Sequence, residues 1–534
     1  MTRRAAGALV ALIVLAGIAI HLHAQSGSGS TQITQTSYLK ASNPDASDHF
    51  GCGGVLQGHT GQGVALSEDG TTLAVGAPHE SGGSPGINGN QRDNSVFDAG
   101  AVYVFIRKGD HWTQQAYVKP SNPHSSAEFG HAVALSADGN TMVVSAHWEP
   151  SNAKGINGNQ KDESIPQAGA VYVFTRRGST WTQQAYIKAS NTGEAGTADS
   201  FGDGDQFGFS IALNADGNTL AVGAITEDSA ATGINGSEAD NSKASAGAVY
   251  VFTRTGTTWS QQAYLKPSDI DAGDMIGYAV ALTADGSILA VGSFDEDGSS
   301  RTINGPADNK SNGSGAAYVF TRTATTWSQE AYIKPSNGEP QDSFGVHVAL
   351  SDDGSTLLVG SLDEDCTATG VNAPGCDNDQ KEDVSVGAAY VFVRSGTTWS
   401  QQAFLKASNS GYNDWFGSRL ALSGDGNVAV IGASLEDSNA TGINGNQKDE
   451  SATEAGAAYL FTRTGTTWQQ QAYIKGSNTE AYDEFGSSLA IDRSGRTLVI
   501  SAKSEDGGGR CEGGKPNDNS VDEAGAVYVF RVAR

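Results

Sequence analysis

The string AGAVYVF at residues 99–105 returns with small variations at 168–174, 246–252, 316–320, 388–392, 455–461 and 524–530. A chain whose unit recurs seven times buries its core between neighbouring copies, because one copy alone has no second layer to pack on. The register is tight. In the position held by Phe-Gly in most copies, the glycines are Gly61, Gly130, Gly208, Gly277, Gly345, Gly417 and Gly486. Each precedes the glycine of the next AGA string by 38 to 42 residues, and six of those are followed 12 residues later by a tryptophan (Trp112, Trp181, Trp259, Trp327, Trp399, Trp468). Insertions are therefore confined to a few loops.

Four strands per copy follow from the pattern. In the second copy the apolar run 133–136 leads into Asp138-Gly139, a hairpin signal because glycine accepts the positive φ of the turn. A second strand covers 141–146. A third, 170–174, is apolar on both faces, as a strand between two neighbouring sheets should be. The fourth, 181–188, alternates and ends in lysine, which reads as an exposed outer edge guarded against pairing. The last copy stops after its third strand, and residues 33–40 align with the missing fourth, Tyr38 matching Tyr117 and Lys40 matching Lys119. The expected fold is all-β: a seven-bladed β-propeller of four-stranded antiparallel blades, closed by the N-terminal strand completing the last blade.

Composition bounds the partners. Fifty-nine acidic against thirty-three basic residues give a net charge of −26, which disfavours nucleic acid and anionic membranes. Arg3 and Arg4 followed by the apolar run 5–20 read as a cleaved signal peptide, residues 1–24. A flexible lead-in, 25–30, then precedes a propeller spanning 31–534. The run is short for a membrane span and no second one follows, so the mature chain is expected to be secreted, extracellular or periplasmic, and monomeric. Four cysteines in an exported chain permit disulfides in three pairings. Cys366 and Cys376 share a loop and are expected to pair locally, leaving Cys52 with Cys511 at the ring seam.

Phe129-Gly130, Phe207-Gly208, Phe344-Gly345, Phe416-Gly417 and Phe485-Gly486, with Val75-Gly76-Ala77-Pro78 in the first copy, resemble FG-GAP repeats. These are the blades of the integrin α-subunit propeller and of many secreted bacterial proteins. The resemblance covers nearly the whole chain from residue 31 and implies a cell-adhesion or binding role. It also implies calcium in the hairpin between strands one and two, on a D-x-[DN]-x-D-G pattern of oxygen ligands. Here the Asp-Gly pairs remain, as at Asp69-Gly70 and Asp138-Gly139, but the first ligand position is alanine in every copy (Ala65, Ala134, Ala212, Ala281, Ala349, Ala421, Ala490). That departure removes the hairpin calcium site and leaves the aspartates as turn residues.

A second acidic feature is more regular. Glu80, Glu149, Glu227, Glu296, Glu364, Glu436 and Glu505 each open the long loop between strands two and three, usually followed by Gly-Ile-Asn-Gly and an aspartate. Two roles suit them: carboxylates bracing the loop, or ligands to a repeated cation, for which calcium is the candidate. Asp199, Asp203 and Asp205, in an insertion before Phe207, are further metal candidates, with an incomplete ligand set. His49, His59, His79, His111, His124, His131 and His147 gather in the first two copies without a metal-type spacing.

Departures from the register fall on the face carrying the 2–3 loops and the 4–1 connections. They include ten extra residues around 49–59, the Cys366–Cys376 loop, the 507–515 loop, and Trp148 and Trp415 outside the strand-four register. Exposed aromatics beside acidic loops suit a carbohydrate or protein ligand; Trp148, Trp415, Glu149, Asp203 and Asp205 are the candidate contacts. No nucleophile elbow, phosphate loop or dinucleotide fingerprint occurs. The expected function is a non-catalytic binding module for an extracellular protein or glycan. The rivals are a polysaccharide lyase or hydrolase working at the central opening, and a structural envelope component.

Overall fold

Hairpins set the local structure. In the second blade Ser136 Oγ donates to Asp138 (2.6 Å), Asp138 accepts the Asn140 N–H (2.9 Å), and Gly139 takes a φ of 63°. These short-range bonds turn Val133–Leu135 back onto Thr141–Ala146. Ala170–Arg177 and Thr180–Ile187 complete that sheet. The computed structural model describes residues 31–53, 61–193, 204–376 and 384–533, and these form seven antiparallel sheets. The signal-peptide expectation lies outside the described residues. Among them no helix is long and apolar enough to cross a membrane.

Blades 1 to 6 follow chain order, four strands each. Blade 7 is composite: Phe485–Ile491, Thr497–Ala502 and Ala526–Ala533 are joined by the N-terminal strand Gln32–Lys40, in register from Gln32 opposite Ala533 to Leu39 opposite Val527. The ring closes as the termini of the repeat array imply. A two-residue strand, Cys511–Glu512, adds a fifth member outside Lys40.

Phe-Gly is the hook between blades. Phe129 N–H donates to Ala99 O of blade 1 (3.1 Å), and the ring lies edge-on to Tyr172 at 5.4 Å. Gly130 must be glycine: its φ is 102°, and a Cβ there would stand 2.6 Å from Ala101 O. The same hook closes the ring, but through Phe50-Gly51. Phe50 donates to Ala524 O (2.9 Å), packs on Tyr103 at 5.4 Å, and Gly51 has a φ of 93°. The register expectation of Gly61 for blade 1 is thus corrected. The ten extra residues lie after the Phe-Gly pair, where blade 1 enters its innermost strand, and not in the connection before it.

Two further expectations are revised. The lysines ending the fourth strands do not guard an exposed edge, since Lys40, Lys119, Lys188, Lys266, Lys406 and Lys475 are wholly buried. The edge is covered instead by the Gly-Ile-Asn-Gly loop. Ile87 bridges to Val118, and Asn88 exchanges bonds with the Tyr117 backbone at 2.7 and 2.9 Å. Cys366 and Cys376 are joined, whereas no disulfide joins Cys52 to Cys511. Cys52 follows Gly51 at the inner end of blade 1 and Cys511 sits on the outermost strand of blade 7, so the width of a blade separates them.

Candidate functional site

Three register positions of each blade converge on the axis at the loop face. One is the residue before the Phe-Gly hook, one is the residue after it, and one lies two residues before the repeated glutamate. The first is left-handed in all seven blades: His49, Glu128, Gln206, Met275, Ser343, Trp415 and Glu484 have φ between 52° and 56°. A shared backbone thus presents a different side chain from each blade.

The mouth divides in two. Across blades 3 to 5, Phe209, Ile225, Met275, Tyr278, Val346 and Leu362 form one buried apolar cluster, with Phe294 and Trp415 packed against it. A cavity of about 30 Å³ is bordered by Ala132, Phe209, Tyr278 and His347. Across blades 7, 1 and 2 the mouth is polar. His131 and His147 stack with ring centroids 3.7 Å apart. Their Nδ1 atoms lie 3.9 and 3.8 Å from the same oxygen of Glu128, and His79 Nε2 lies 3.9 Å from the other. His79 Nδ1 faces Asp98 at 3.6 Å. All three imidazole nitrogens that face Glu128 lack a hydrogen-bond partner among the described residues.

Burial governs the protonation of this half. It pushes Glu128 up to about 8, with Asp98 adding to the effect, and lowers His131 to about 3. It takes His79 down to about 4 and His147 well below the imidazole range. Burial thus disfavours the charged form of the carboxyl and of each of these imidazoles.

The seven repeated glutamates stand elsewhere, at the seams. Glu80, Glu149, Glu227, Glu296, Glu364, Glu436 and Glu505 are buried and accept from Lys119, Lys188, Lys266, Lys334, Lys406, Lys475 and Lys40 at 2.6 to 3.0 Å. In six blades a tyrosine hydroxyl adds a bond, such as Tyr117 to Glu80 at 2.8 Å; blade 5 has Phe404 there. In every blade but the fourth an asparagine ties the preceding 4–1 connection to the blade it enters. Asn122 donates to Glu149 (3.1 Å) and accepts from Tyr172 (2.8 Å). The lysine ammonium already supplies the positive charge that a bound cation would bring. The hairpin aspartates do not fit calcium either: Asp69 accepts from Ser67 and Thr71 within its own turn, and Ala65 offers no ligand.

Asp205 proves to be one of a set. It accepts the Gly193 N–H at 2.7 Å, as Asp48 accepts from Asp45, Asp274 from Asp271, Asp342 from Glu339, Asp414 from Gly411 and Asp483 from Glu480. Each lies three residues before a hook glycine, a D-x-F-G pattern (D-x-I-G at Asp274) readable in the sequence once Gly51 is placed. Asp199 and Asp203 lie outside the described residues. Trp148 and Trp415 are half-buried, Trp148 tilted against His147 with its ring 5.1 Å away. Among the described residues, the large aromatics that do stand out from this face are Phe97, Tyr412 and Tyr482, at 66%, 63% and 59% exposure. Sequence reading missed both these and the Glu128 cluster. The available signal was positional: aligning the three mouth positions blade by blade brings Glu128, His131 and His147 together, which no local spacing does.

A sequence model described as the FG-GAP repeat matches residues 112–174, 259–320, 327–392, 399–461 and 468–530, more than half of the chain. No curated protein matches it. Among solved structures, the chain is similar to the β-propeller domain of Cps50 (Swd1) from Myceliophteria thermophila. Identity there is 9% and the TM-score 0.46, covering 91% of this chain and 100% of that one. It is also similar to a candidate 6-phosphogluconolactonase from Bacteroides uniformis ATCC 8492, at 10% identity and a TM-score of 0.42, covering 78% and 85%.

Proposed function

The chain belongs to the FG-GAP repeat family, and on that premise we propose that it is an exported, non-catalytic binding module. Its ligand is an extracellular protein or glycan, held on the rim of the face that carries the 2–3 loops and 4–1 connections. One observation carries this reading: Phe97, Tyr412 and Tyr482 stand exposed on that face, while the seams are closed. Exposed aromatic rings offer large contact area at small entropic cost.

The test is a screen of the mature protein on a glycan array and a panel of extracellular-matrix proteins. It is repeated with Phe97, Tyr412 and Tyr482 all changed to serine. A ligand that binds the parent should lose at least tenfold affinity in the triple variant at unchanged circular dichroism. Undiminished binding by that variant would remove the rim assignment.

A further inference from the structure

We propose that Glu128, His131 and His147 form a site for one first-row divalent transition ion with the ligand preferences of zinc. It is independent of whatever the rim binds. The three side chains are buried, and one ligand atom from each lies within 4.8 Å of the other two. The Nδ1-to-carboxylate separations of 3.8 and 3.9 Å are too long for hydrogen bonds, yet suit a third atom held between the groups. Around a tetrahedral ion with bonds of about 2 Å the ligands stand about 3.3 Å apart, so each histidine-to-carboxylate separation must shorten by about half an ångström and the three ligand atoms, now within 4.8 Å of one another, must draw together. Two imidazoles and one carboxylate match zinc, cobalt or nickel. Calcium, which takes six or more oxygens, finds one carboxylate here. His79, with Asp98 3.6 Å from one nitrogen and the other oxygen of Glu128 3.9 Å from its second, stands beside that carboxylate, where a group that orients it would be.

The repeat supplies an internal comparison. Glu484 of blade 7 occupies the register position of Glu128, and Lys503 that of His147. There the two form an ion pair at 2.8 Å. Blade 7 thus places an ammonium beside its half-buried carboxylate. Blade 2 keeps the carboxylate, replaces the lysine by His147, and adds His131 where blade 7 has Ser487. No lysine or arginine pairs with Glu128 among the described residues. A cation bound by the histidines would stand where blade 7 has its ammonium.

The probe is Co²⁺, titrated into the tag-free mature protein after treatment with chelator. One equivalent should produce the visible absorption bands of a four- or five-coordinate ion, and Zn²⁺ should abolish them while millimolar Ca²⁺ leaves them. His147→Lys copies blade 7 and should lose the bands while keeping the metal-free melting temperature. Glu128→Gln and His131→Gln should each weaken Co²⁺ binding at least tenfold, and they decide the matter should His147→Lys fail to fold. A wild-type protein without bands would overturn the site, and so would equal bands in Glu128→Gln and His131→Gln.

Discussion

Blades 2 and 6 are built from the same atoms at their seams and from unrelated ones at the mouth. Asn122 spans Glu149 and Tyr172, and Asn409 spans Glu436 and Tyr459, with every bond between 2.8 and 3.1 Å. At the axis blade 2 presents Glu128, His131 and His147, and blade 6 presents Trp415, Ser418 and Ser434. Both regions are buried and both hold carboxylates, so burial alone does not separate structure from function. Compensation does. Each seam glutamate has its own lysine, and Glu128 has none.

The sharpest way to break this comparison is to treat a seam like the mouth. Lys188→Met leaves Glu149 buried without its cation and should cost about 3–5 kcal/mol in urea unfolding, the usual penalty for halving a buried ion pair. A loss below 1 kcal/mol would mean that the seams are not held by charge. A second effect is summed over several blades. Burial raises Asp48, Asp274 and Asp414 to about 8, and Asp205 and Asp483 to about 7. The folded chain then keeps protons that the unfolded chain has released above about pH 4. The contribution of these groups to stability is present in full below about pH 4 and is lost as pH rises through 7 to 8. In chelator, the urea midpoint should therefore be higher at pH 5.5 than at pH 8.5, with the difference reduced in Asp205→Asn.

Smaller effects sharpen the comparison where a seam departs from its own rule. Blade 4 has Asp269 where six other blades have asparagine, and both Asp269 Oδ1 and the Tyr318 hydroxyl are left without partners. Asp269→Asn should restore the span to Glu296 and stabilise by about 1–2 kcal/mol. Blade 5 has Phe404 in the tyrosine position, beside Glu364, which burial raises to about 7. Phe404→Tyr should add about 0.5–1.5 kcal/mol in the same assay.

The architecture was legible because a repeat writes its packing seven times. The intervals around Phe-Gly gave the blades, and matching Lys40 to Lys119 gave the closing strand. Register was lost in one place. The interval from Lys40 to Gly51 equals that from Lys119 to Gly130, but ten extra residues between Gly51 and Gly61 drew the assignment to Gly61. The buried lysines were misread because alternation along a strand shows which residues share a face and not what covers that face. The covering loop comes from 30 residues upstream. The mouth was illegible for a related reason. Its side chains belong to two segments of one blade and meet seven different blades at the axis, so no local motif records them.

Thermal unfolding of the protein in excess chelator, in millimolar Ca²⁺ and in stoichiometric Zn²⁺ tests the division between seams and mouth most directly. A bound ion raises the midpoint by mass action. The expected result is no shift with Ca²⁺, because the seam glutamates already hold lysines, and a rise with Zn²⁺ that disappears in His147→Lys. A rise with Ca²⁺ and none with Zn²⁺ would contradict it, making the repeated carboxylates the cation sites and the histidine cluster mere packing.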